Sequence, residues 1–465
     1  MTAPRIEDYG FVSDCHAPAL ISKAGSVDWW CPPRADGPPV LGRLLDPDAG
    51  HWSLEVLDAT DIVRRYVPST LILESTVTSD SGEVVIREAL ATEPGARGHE
   101  LGLRSPHALV RSVVGVRGTV QLRCEFAPRF EFGLTTPHLR WDGAAVDAHA
   151  GPTRLRLTSP VPMDVDGGVA FATFTVAAGE RVSFCLAHAS AHGGGSPSTL
   201  DPADALLETQ RTWESWAEMH PGYDGAHAET ARASALVLQG LTYKPTGAVL
   251  AAATTSLPAK IGGDANWDYR YAWLRDLSLT GQALWIAACP DEGTAYLRFL
   301  ADAAGQPTDD DARVQVVYAV DGRRELSEYE LHHLQGYRGS SPVRVGNAAW
   351  KQSQLDVLGE VLDLAHRFAD QLEADDEPIR QMLLWLAEEA ATTWQSPDAG
   401  MWEARDEERQ YVTSKVMCWV ALDRAIDLAD FLGDGADVER WRTVRDEIRA
   451  RVLDEAWNDD VEAFT

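Results

Sequence analysis

The chain has 465 residues, 45% of them hydrophobic, which is enough for two domains with separate cores. Its formal net charge of −30 and its pI of about 4.7 disfavour nucleic acid and anionic membranes as partners. The start of the chain lacks the basic and apolar segments of a secretory signal, and no apolar run of about 18 residues occurs. The six scattered cysteines form no CxxC pair and fit reduced, buried thiols. We therefore expect a cytoplasmic protein.

The first part of the chain has the pattern of antiparallel strands. Several runs alternate apolar and polar residues, and turn sequences that contain Gly118, Gly167 or Gly179 separate them. The predicted strands cover residues 70–78, 83–90, 109–116, 119–126, 153–159, 169–176 and 181–187. Regular spacing of this kind predicts an antiparallel β-sandwich, to which we assign residues 1–195.

A segment rich in Gly, Ser and Pro at 191–201 marks the end of this domain. Beyond it, apolar residues recur with helical spacing, first in a linking helix over 202–219, within a linker of 196–222. Further helices are predicted over 226–242, 273–288, 350–373, 379–394, 413–432 and 436–455. We predict a ring of paired helices for residues 223–465, with fewer helices than a closed ring needs.

The segment NWDYRYAWLRD, Asn266–Asp276, is the densest signal for chemistry in the chain. Arg275 and Asp276 fall in the first turn of a predicted helix, where free amides and the helix dipole favour an aspartate. One interpretation is a salt-bridged helix start with Trp273 in the core. The other is a sugar site, in which aromatic residues stack on a ring while Arg275 and Asp276 bind its hydroxyl groups.

A second signal is the carboxyl group of Glu403, in the segment DAGMWEAR that begins at Asp398. Glu403 follows Trp402, and a carboxyl group beside an indole face can be shielded from water. Shielding raises the pKa of a carboxyl group and keeps it protonated, as a general acid requires. The alternative is a surface glutamate in an acidic loop, since residues 406–408 are also acidic.

A third signal is the loop GYRGSSPVRVGNAA at 336–349, which leads into the segment QLD at 354–356. Asn347 suits a helix N-cap, and Asp356 and Glu360 share a helix face. A loop fixed by turns and a cap explains most of these residues better than a functional role does. The sequence contains no GxxxxGK[ST], HExxH or GxSxG motif, and nothing in it requires a metal or another cofactor.

Taken together, the motifs NWDYRYAWLRD, GYRGSSPVRVGNAA with QLDVLGEV, and GMWEAR with YVTSKVMCWVALDRAIDLA resemble glycoside hydrolase family 15. This is the family of glucoamylases, glucodextranases and bacterial trehalases. The stretch Ile6–Asp46 resembles the N-terminal domain of its bacterial trehalase-like branch. The resemblance covers nearly the whole chain. It implies a β-sandwich followed by an (α/α)6 toroid, and exo-hydrolysis of α-glucosides with inversion at the anomeric carbon.

The resemblance also implies roles for individual residues. Arg275 and Asp276 match the pair that holds the terminal glucose, and Glu403 matches the general acid. An inverting hydrolase needs a second carboxylate that activates water, about 6.5–9.5 Å from the acid. The residues expected to bind substrate are Tyr269, Trp273, Arg275, Asp276 and Trp402, with Asn347 and Asp356 as further candidates.

Two departures from the family pattern affect these expectations. The segment 257–260 reads LPAK where relatives often carry a glutamate, so we expect different substrate contacts there. The general base of the family lies in the C-terminal part of the toroid, and no residue of this chain matches it. We therefore expect a chain truncated at its C-terminus, with an incomplete toroid.

These observations lead to three functional hypotheses. The first is an α-glucoside hydrolase that releases glucose, with trehalose as the first substrate. The second is an enzyme of the glucoamylase or isomaltose type. The third is a carbohydrate-binding remnant that lacks the general base and does not catalyse. An α-glucoside or oligosaccharide is the partner in each case, and the oligomeric state, including a homo-oligomer, is left open.

Overall fold

The computed structural model describes residues 3–190, 200–220, 223–286, 292–304, 314–373 and 375–465. The chain divides into two compact units, each built from several stretches of sequence. The first unit consists of Met1–Pro245, Ala252–Arg270 and Tyr329–Val345. The second unit consists of Thr246–Ala251, Tyr271–Glu328 and Gly346–Thr465. The domain ranges 1–195 and 223–465 stay predictions, and the structural units differ from them because later segments return to the first unit.

The first unit is rich in antiparallel strands. The strands are β1 (Tyr9–Val12), β2 (Ala19–Ser22), β3 (Ser26–Trp30), β4 (His51–Val56), β5 (Ala59–Tyr66), β6 (Leu73–Ser79), β7 (Gly82–Leu90), β8 (Ala108–Ala127), β9 (His138–Trp141), β10 (Ala145–Ala150), β11 (Thr153–Thr158), β12 (Asp164–Asp166), β13 (Val169–Ala177) and β14 (Arg181–Ser190). These 14 strands form one antiparallel hydrogen-bonded network. An N-terminal part rich in antiparallel sheet, followed by a helical part, is therefore confirmed.

The 20-residue strand β8 joins the two halves of this network. Its first half pairs with β7 and β14, and its second half pairs with β4 and β13. Between the halves, Gly118 has a φ of +66°, and a β-carbon there would lie 2.0 Å from the carbonyl oxygen of Ser81. Only glycine fits this bend. The sequence predicts two strands here, 109–116 and 119–126, because Gly118 is a turn signal. The structure has one strand, since Gly118 bends β8 without ending it.

The core of the first unit combines side chains from both halves of the network. Trp52, Leu54 and Leu122 of one half and Leu73, Ile86 and Leu186 of the other belong to one buried apolar cluster. Two helices, α1 (Pro202–Met219) and α2 (Ala228–Leu241), also belong to this unit. Helix α1 has the bounds predicted for the linking helix, whereas 191–199 and 221–222 of the predicted boundary and linker lie outside the described residues.

The second unit is mainly helical. Its helices are α3 (Leu274–Ile286), α4 (Gly293–Ala304), α5 (Asp356–Arg367), α6 (Glu377–Thr393), α7 (Val412–Asp427), α8 (Ala429–Leu432) and α9 (Val438–Glu455). Helices α3, α5, α7 and α9 pack against one another in succession, and α4, α6 and α8 form a second succession. The helix predicted over 350–373 is shorter in the structure, where α5 begins only at Asp356. Before it, Gln352 and Leu355 bond to the loop that contains residues 398–404.

The remaining strands are two residues long. They are β15 (Thr242–Tyr243), β16 (Ala248–Val249), β17 (Ala272–Trp273), β18 (Val317–Tyr318), β19 (Tyr329–Glu330), β20 (Arg344–Val345), β21 (Trp457–Asn458) and β22 (Ala463–Phe464). Within the described ranges, no helix is long and apolar enough to cross a membrane. The cysteines that the structure describes, at positions 15, 31, 124, 185 and 418, are buried and form no disulfide, as predicted, and Cys289 lies outside the described residues.

A buried ion pair between Asp268 and Arg270 stabilises the first unit. Arg270 Nη2 lies 2.7 Å from Asp268 Oδ2, and Arg270 Nε donates to Asp268 Oδ1 at 2.9 Å. Both side chains are fully buried. Arg270 Nη1 also donates to the carbonyl oxygens of Ala35 and Gly37. The middle of the NWDYRYAWLRD motif is therefore structural, because it ties this segment to the N-terminal part of the first unit.

We predict that Arg270→Met lowers the free energy of unfolding by about 3–5 kcal/mol, because Asp268 would stay buried after losing its guanidinium partner. Arg104→Met makes the same chemical change at an arginine that is 81% exposed and paired with Glu93. It should cost at most about 1 kcal/mol. Urea denaturation followed by circular dichroism measures both values. Equal losses in the two variants would contradict the importance of the buried pair.

Candidate active site

Five of the residues predicted for the site lie at or near the N-terminal ends of α3, α5 and α7, three helices of the second unit that pack in this order. Trp273 ends β17, and Arg275 and Asp276 occupy the first turn of α3. Asp356 opens α5, and Glu403 lies in the loop that precedes α7. Unpaired amide groups and the helix dipole favour carboxylates at helix N-termini, so this position suits a cluster of acidic side chains.

The carboxyl group of Glu403 is held from two sides. Trp273 Nε1 donates to Glu403 Oε1 at 2.6 Å, and Arg275 Nη2 donates to the same oxygen at 3.3 Å. The Glu403 side chain is 20% exposed. The indole that contacts the carboxyl group is therefore that of Trp273. The sequence-based explanation, in which Trp402 shields Glu403, is wrong in this respect because Trp402 is 86% exposed.

Arg275 connects Glu403 to a second carboxylate. Its Nη1 donates to Asp356 Oδ2 and to Gln354 Oε1, each at 3.0 Å. The side chains of Arg275 and Asp356 are 12% and 2% exposed. Burial by itself lowers the pKa of Arg275, but the charges of Asp356, Glu403 and Asp276 outweigh it and raise the pKa above its usual value. Arg275 therefore stays cationic and pairs with both carboxyl groups.

Burial dominates the protonation of the carboxyl groups in this cluster. It raises the pKa of Glu403 above the usual range, although the charge of Arg275 and hydrogen bonds from Trp273 and Gln354 oppose the rise. Burial likewise raises the pKa of Asp276 and the pKa of Asp356, each against the charge of Arg275. A larger fraction of Glu403 is therefore protonated at a given pH than of an exposed glutamate.

Glu360 is a half-buried acidic residue close to this cluster, and its pKa is strongly raised. It lies one turn after Asp356 on α5, at the i, i+4 spacing predicted from the sequence. Burial raises the pKa of Glu360 to about 7, and the nearby charge of Asp356 adds to the effect. Two acidic groups one turn apart resist simultaneous ionisation, so Glu360 keeps its proton to higher pH than an isolated glutamate does.

The loop that carries Glu403 has a left-handed backbone at two positions. Glu403 has a φ of +56° and Gly400 a φ of +65°. The ring of Tyr411 packs against Gly400 so closely that a β-carbon there would lie 2.8 Å from it. The amide of Glu403 donates to the carbonyl oxygen of Gly400 at 3.0 Å, which closes a tight turn. A left-handed backbone is unfavourable for a residue with a β-carbon, so the surroundings must hold Glu403 in this conformation.

Asp398 anchors the start of this loop to two helices. Its Oδ2 accepts a hydrogen bond from the amide of Leu355 at 2.9 Å and another from Ser414 Oγ at 2.7 Å. Leu355 directly precedes α5, and Ser414 lies in the first turn of α7. Asp398 is fully buried. Because this one carboxylate ties the loop to the starts of both α5 and α7, the loop of Glu403 has a fixed position relative to Asp356.

Two glutamines at the site were not singled out from the sequence. Gln352 Nε2 donates to the carbonyl oxygens of Glu403 and Ala404, at 3.4 and 3.1 Å. Gln354 Nε2 donates to Gln352 Oε1 at 3.0 Å. Gln354 stands within a motif that resembles the family, but a neutral amide side chain has no spacing or charge pattern that would mark it as functional.

The other predicted site residues have different surroundings. Asn347 is 1% exposed, and its Oδ1 accepts a hydrogen bond from the amide of Ala349 at 3.0 Å, so it is the predicted N-cap of a short helical turn. Tyr269 belongs to the first unit and is 37% exposed. Contacts of Tyr269, Trp402 and Asn347 with a substrate stay predictions.

We predict that Glu360→Gln makes the protein more stable at about pH 8, with a difference that vanishes at about pH 4. Because the pKa of Glu360 is raised to about 7, the folded protein binds more protons than the unfolded chain at intermediate pH, and stability falls as the pH rises. A glutamine at this position does not titrate, so it removes this loss of stability at high pH. Urea midpoints at the two pH values measure the effect. The exposed residue Glu447 provides the control variant Glu447→Gln, and an equal response in both variants would contradict the assignment.

Comparison with known proteins matches the chain to two families. Residues 225–464 match Glycosyl hydrolases family 15, and residues 1–188 match a family described as Trehalase-like, N-terminal. Similar proteins include a trehalase of Mycolicibacterium smegmatis, 38% identical over 97% of this chain and 70% of its own length. A trehalase of Mycobacterium tuberculosis is also 38% identical, over 97% of this chain and 69% of its own.

A more distant relative extends the similarity to an archaeal protein. A trehalase of Thermoplasma volcanium is 29% identical over 99% of this chain and 73% of its own length. The resemblance that the motifs indicate is thus confirmed over both parts of the chain. The chain belongs to glycosyl hydrolases family 15.

Proposed function

We propose that this chain is a trehalase, which hydrolyses trehalose to two glucose molecules by exo-attack with inversion at one anomeric carbon. The proposal draws on the similarity to several proteins named trehalase and on the match of residues 1–188 to a trehalase-like N-terminal domain. The observation that carries it is the position of Glu403, whose partly buried carboxyl group lies against Trp273 and Arg275.

Glu403 is the proposed general acid. Breaking a glycosidic bond requires a proton on the leaving oxygen, and a carboxyl group with a raised pKa keeps its proton to higher pH than an exposed carboxyl group does. Burial raises the pKa of Glu403 in this way. Oε1 accepts hydrogen bonds from both Trp273 and Arg275, and the proposed site of the proton is Oε2. Activity should then fall as the pH rises through the raised pKa of Glu403.

The remaining residues of the cluster are proposed to position the substrate. Arg275 donates hydrogen bonds to sugar hydroxyl groups, and Asp276 accepts hydrogen bonds from them. Asp356 orients Arg275 through its ion pair at 3.0 Å. The exposed indole of Trp402, next to the acid in sequence, offers a flat apolar surface for a sugar ring. Tyr269 is proposed to contribute a second aromatic surface.

Inversion requires a water molecule on the face of the sugar opposite the acid. A carboxylate removes a proton from this water while Glu403 gives its proton to the leaving oxygen, so the attacked glucose leaves as the β anomer and the other as the α anomer. The proposal assigns the role of this base to no residue.

Two structural details belong to the same proposal. We infer that the strand network of the first unit is a β-sandwich, because its buried cluster combines side chains of both halves. We also infer that the second unit has the arrangement of an (α/α)6 toroid, supported by the two successions α3–α5–α7–α9 and α4–α6–α8. A cytoplasmic location stays a prediction from the sequence, and the oligomeric state stays open.

The test is glucose release from trehalose, maltose, isomaltose and soluble starch by the purified chain. We expect release from trehalose, and we expect Glu403→Gln to lower kcat by at least about 10²–10⁴-fold while the Kd for trehalose, measured by calorimetry, stays nearly the same. Glu447→Gln, at an exposed position, should keep full activity.

Each other result has a distinct meaning. Release from maltose, isomaltose or starch alone would replace trehalose by a glucoamylase-type or isomaltose-type substrate. Sugar binding without release from any substrate, in a folded chain, would favour the carbohydrate-binding alternative. Unchanged turnover in Glu403→Gln would refute the assignment of the acid.

A further inference from the structure

We propose that Gln352 and Gln354 are positioning residues, which hold Glu403 in place through a closed ring of hydrogen bonds. The inference rests on the proposed role of Glu403 as the acid. Neither glutamine contacts the leaving oxygen in this scheme. They act through Arg275 and a hydrogen bond from Gln354, which both bind the carboxyl group of Glu403, and through the backbone of the loop that carries Glu403.

The ring begins and ends at Glu403. Arg275 Nη2 donates to Glu403 Oε1 at 3.3 Å, and Arg275 Nη1 donates to Gln354 Oε1 at 3.0 Å. Gln354 Nε2 donates to Gln352 Oε1 at 3.0 Å. Gln352 Nε2 then donates to the carbonyl oxygens of Glu403, at 3.4 Å, and of Ala404, at 3.1 Å. One circuit thus fixes both the side chain and the backbone of the same residue.

The backbone of Glu403 requires such support. Its φ of +56° lies in the left-handed region, which a residue with a β-carbon leaves readily unless its neighbours prevent it. Gln352 bonds to the peptide carbonyls of Glu403 and Ala404, so rotation of the peptide between them would break one of these bonds. A shift of about 1 Å in a reacting group can lower the rate by roughly 100-fold, so the backbone conformation matters for proton transfer.

Glutamine suits both positions because the ring needs a donor and an acceptor on the same neutral side chain. A glutamate at position 354 would place another negative charge beside Glu403, and a lysine could not accept from Arg275. Gln352 has an extended backbone, with a φ of −76° and a ψ of 151°. Gln352 and Gln354 lie two residues apart in the segment that precedes α5, and their side-chain amides meet there.

The first test is a double-mutant cycle with Gln352→Met, Gln354→Met and the double variant, assayed with trehalose. Each single change should lower kcat roughly 10- to 100-fold, and Gln352→Met should leave KM nearly unchanged because Gln352 lies behind Glu403. The double variant should be no slower than the slower single variant, because either change opens the ring. If the losses of kcat in the two single variants multiply in the double variant, the two glutamines act independently, and the proposal that the ring acts as a unit is wrong.

Gln381→Met is the matched control. Gln381 donates to Glu377 Oε1 on the exposed surface of α6, so the variant loses a glutamine hydrogen bond outside the site and should keep the original kcat. A lower melting temperature with unchanged kcat in Gln352→Met would mean that Gln352 is merely structural, and the proposal would fail.

A second readout does not depend on activity. The indole N–H of Trp273 donates to Glu403 at 2.6 Å, so its ¹H–¹⁵N NMR signal, assigned with Trp273→Phe, reports the position of the carboxyl group. This signal should move in Gln352→Met and Gln354→Met and stay in place in Gln381→Met. An unmoved signal would overturn the positioning role. If the unchanged chain hydrolyses no sugar, the proposed function fails, and the NMR signal still decides whether the ring positions Glu403.

Discussion

The guanidinium group of Arg275 lies between two carboxyl groups, and its distances from them differ. It is 3.0 Å from Asp356 and 3.3 Å from Glu403. Asp356 is also the more buried of the two, so the closer ion pair forms where an uncompensated charge would cost most. Burial nevertheless prevails over the charge of Arg275 at both carboxyl groups and raises the pKa of each.

The fold creates this arrangement by bringing helix starts together. Helices α3, α5 and α7 pack in succession, and their N-terminal ends carry or adjoin the acidic residues of the site. The dipoles and free amides of these ends favour negative charge, which offsets part of the repulsion among the carboxylates. The late start of α5 has a second consequence. Residues 352–354 lie outside the helix, where Gln354 bonds to Gln352 and Gln352 bonds to the loop of Glu403.

Charged residues in conspicuous motifs could be predicted from the sequence, whereas contacts between distant segments could not. Arg275, Asp276 and Glu403 stand in dense polar and aromatic segments, and their local positions agree with expectation. The contact of Trp273 with Glu403 joins residues 130 positions apart, so the neighbouring Trp402 was the natural but incorrect choice for the shielding indole. The ring through Gln352 depends on a backbone conformation that no spacing rule encodes.

The helices differ in how fully the sequence-based prediction found them. Helix α1 follows an Asp201 cap and has a clear apolar face, so its bounds agree with the pattern. Helix α4 is missing from the sequence-based prediction, although its pattern is one-sided: Tyr296, Leu297, Phe299 and Leu300 are buried, whereas Arg298 and Asp302 are exposed.

The protonation of Glu403 is the most direct test of this account. The chain would be labelled with ¹³C at glutamate carboxyl groups, the Glu403 signal assigned by comparison with Glu403→Gln, and its chemical shift followed against pH. The account predicts a midpoint clearly above the value of about 4.3 for a free glutamate. A midpoint at or below that value would mean that Arg275 and Trp273 outweigh burial, and that Glu403 is ionised and cannot be the acid.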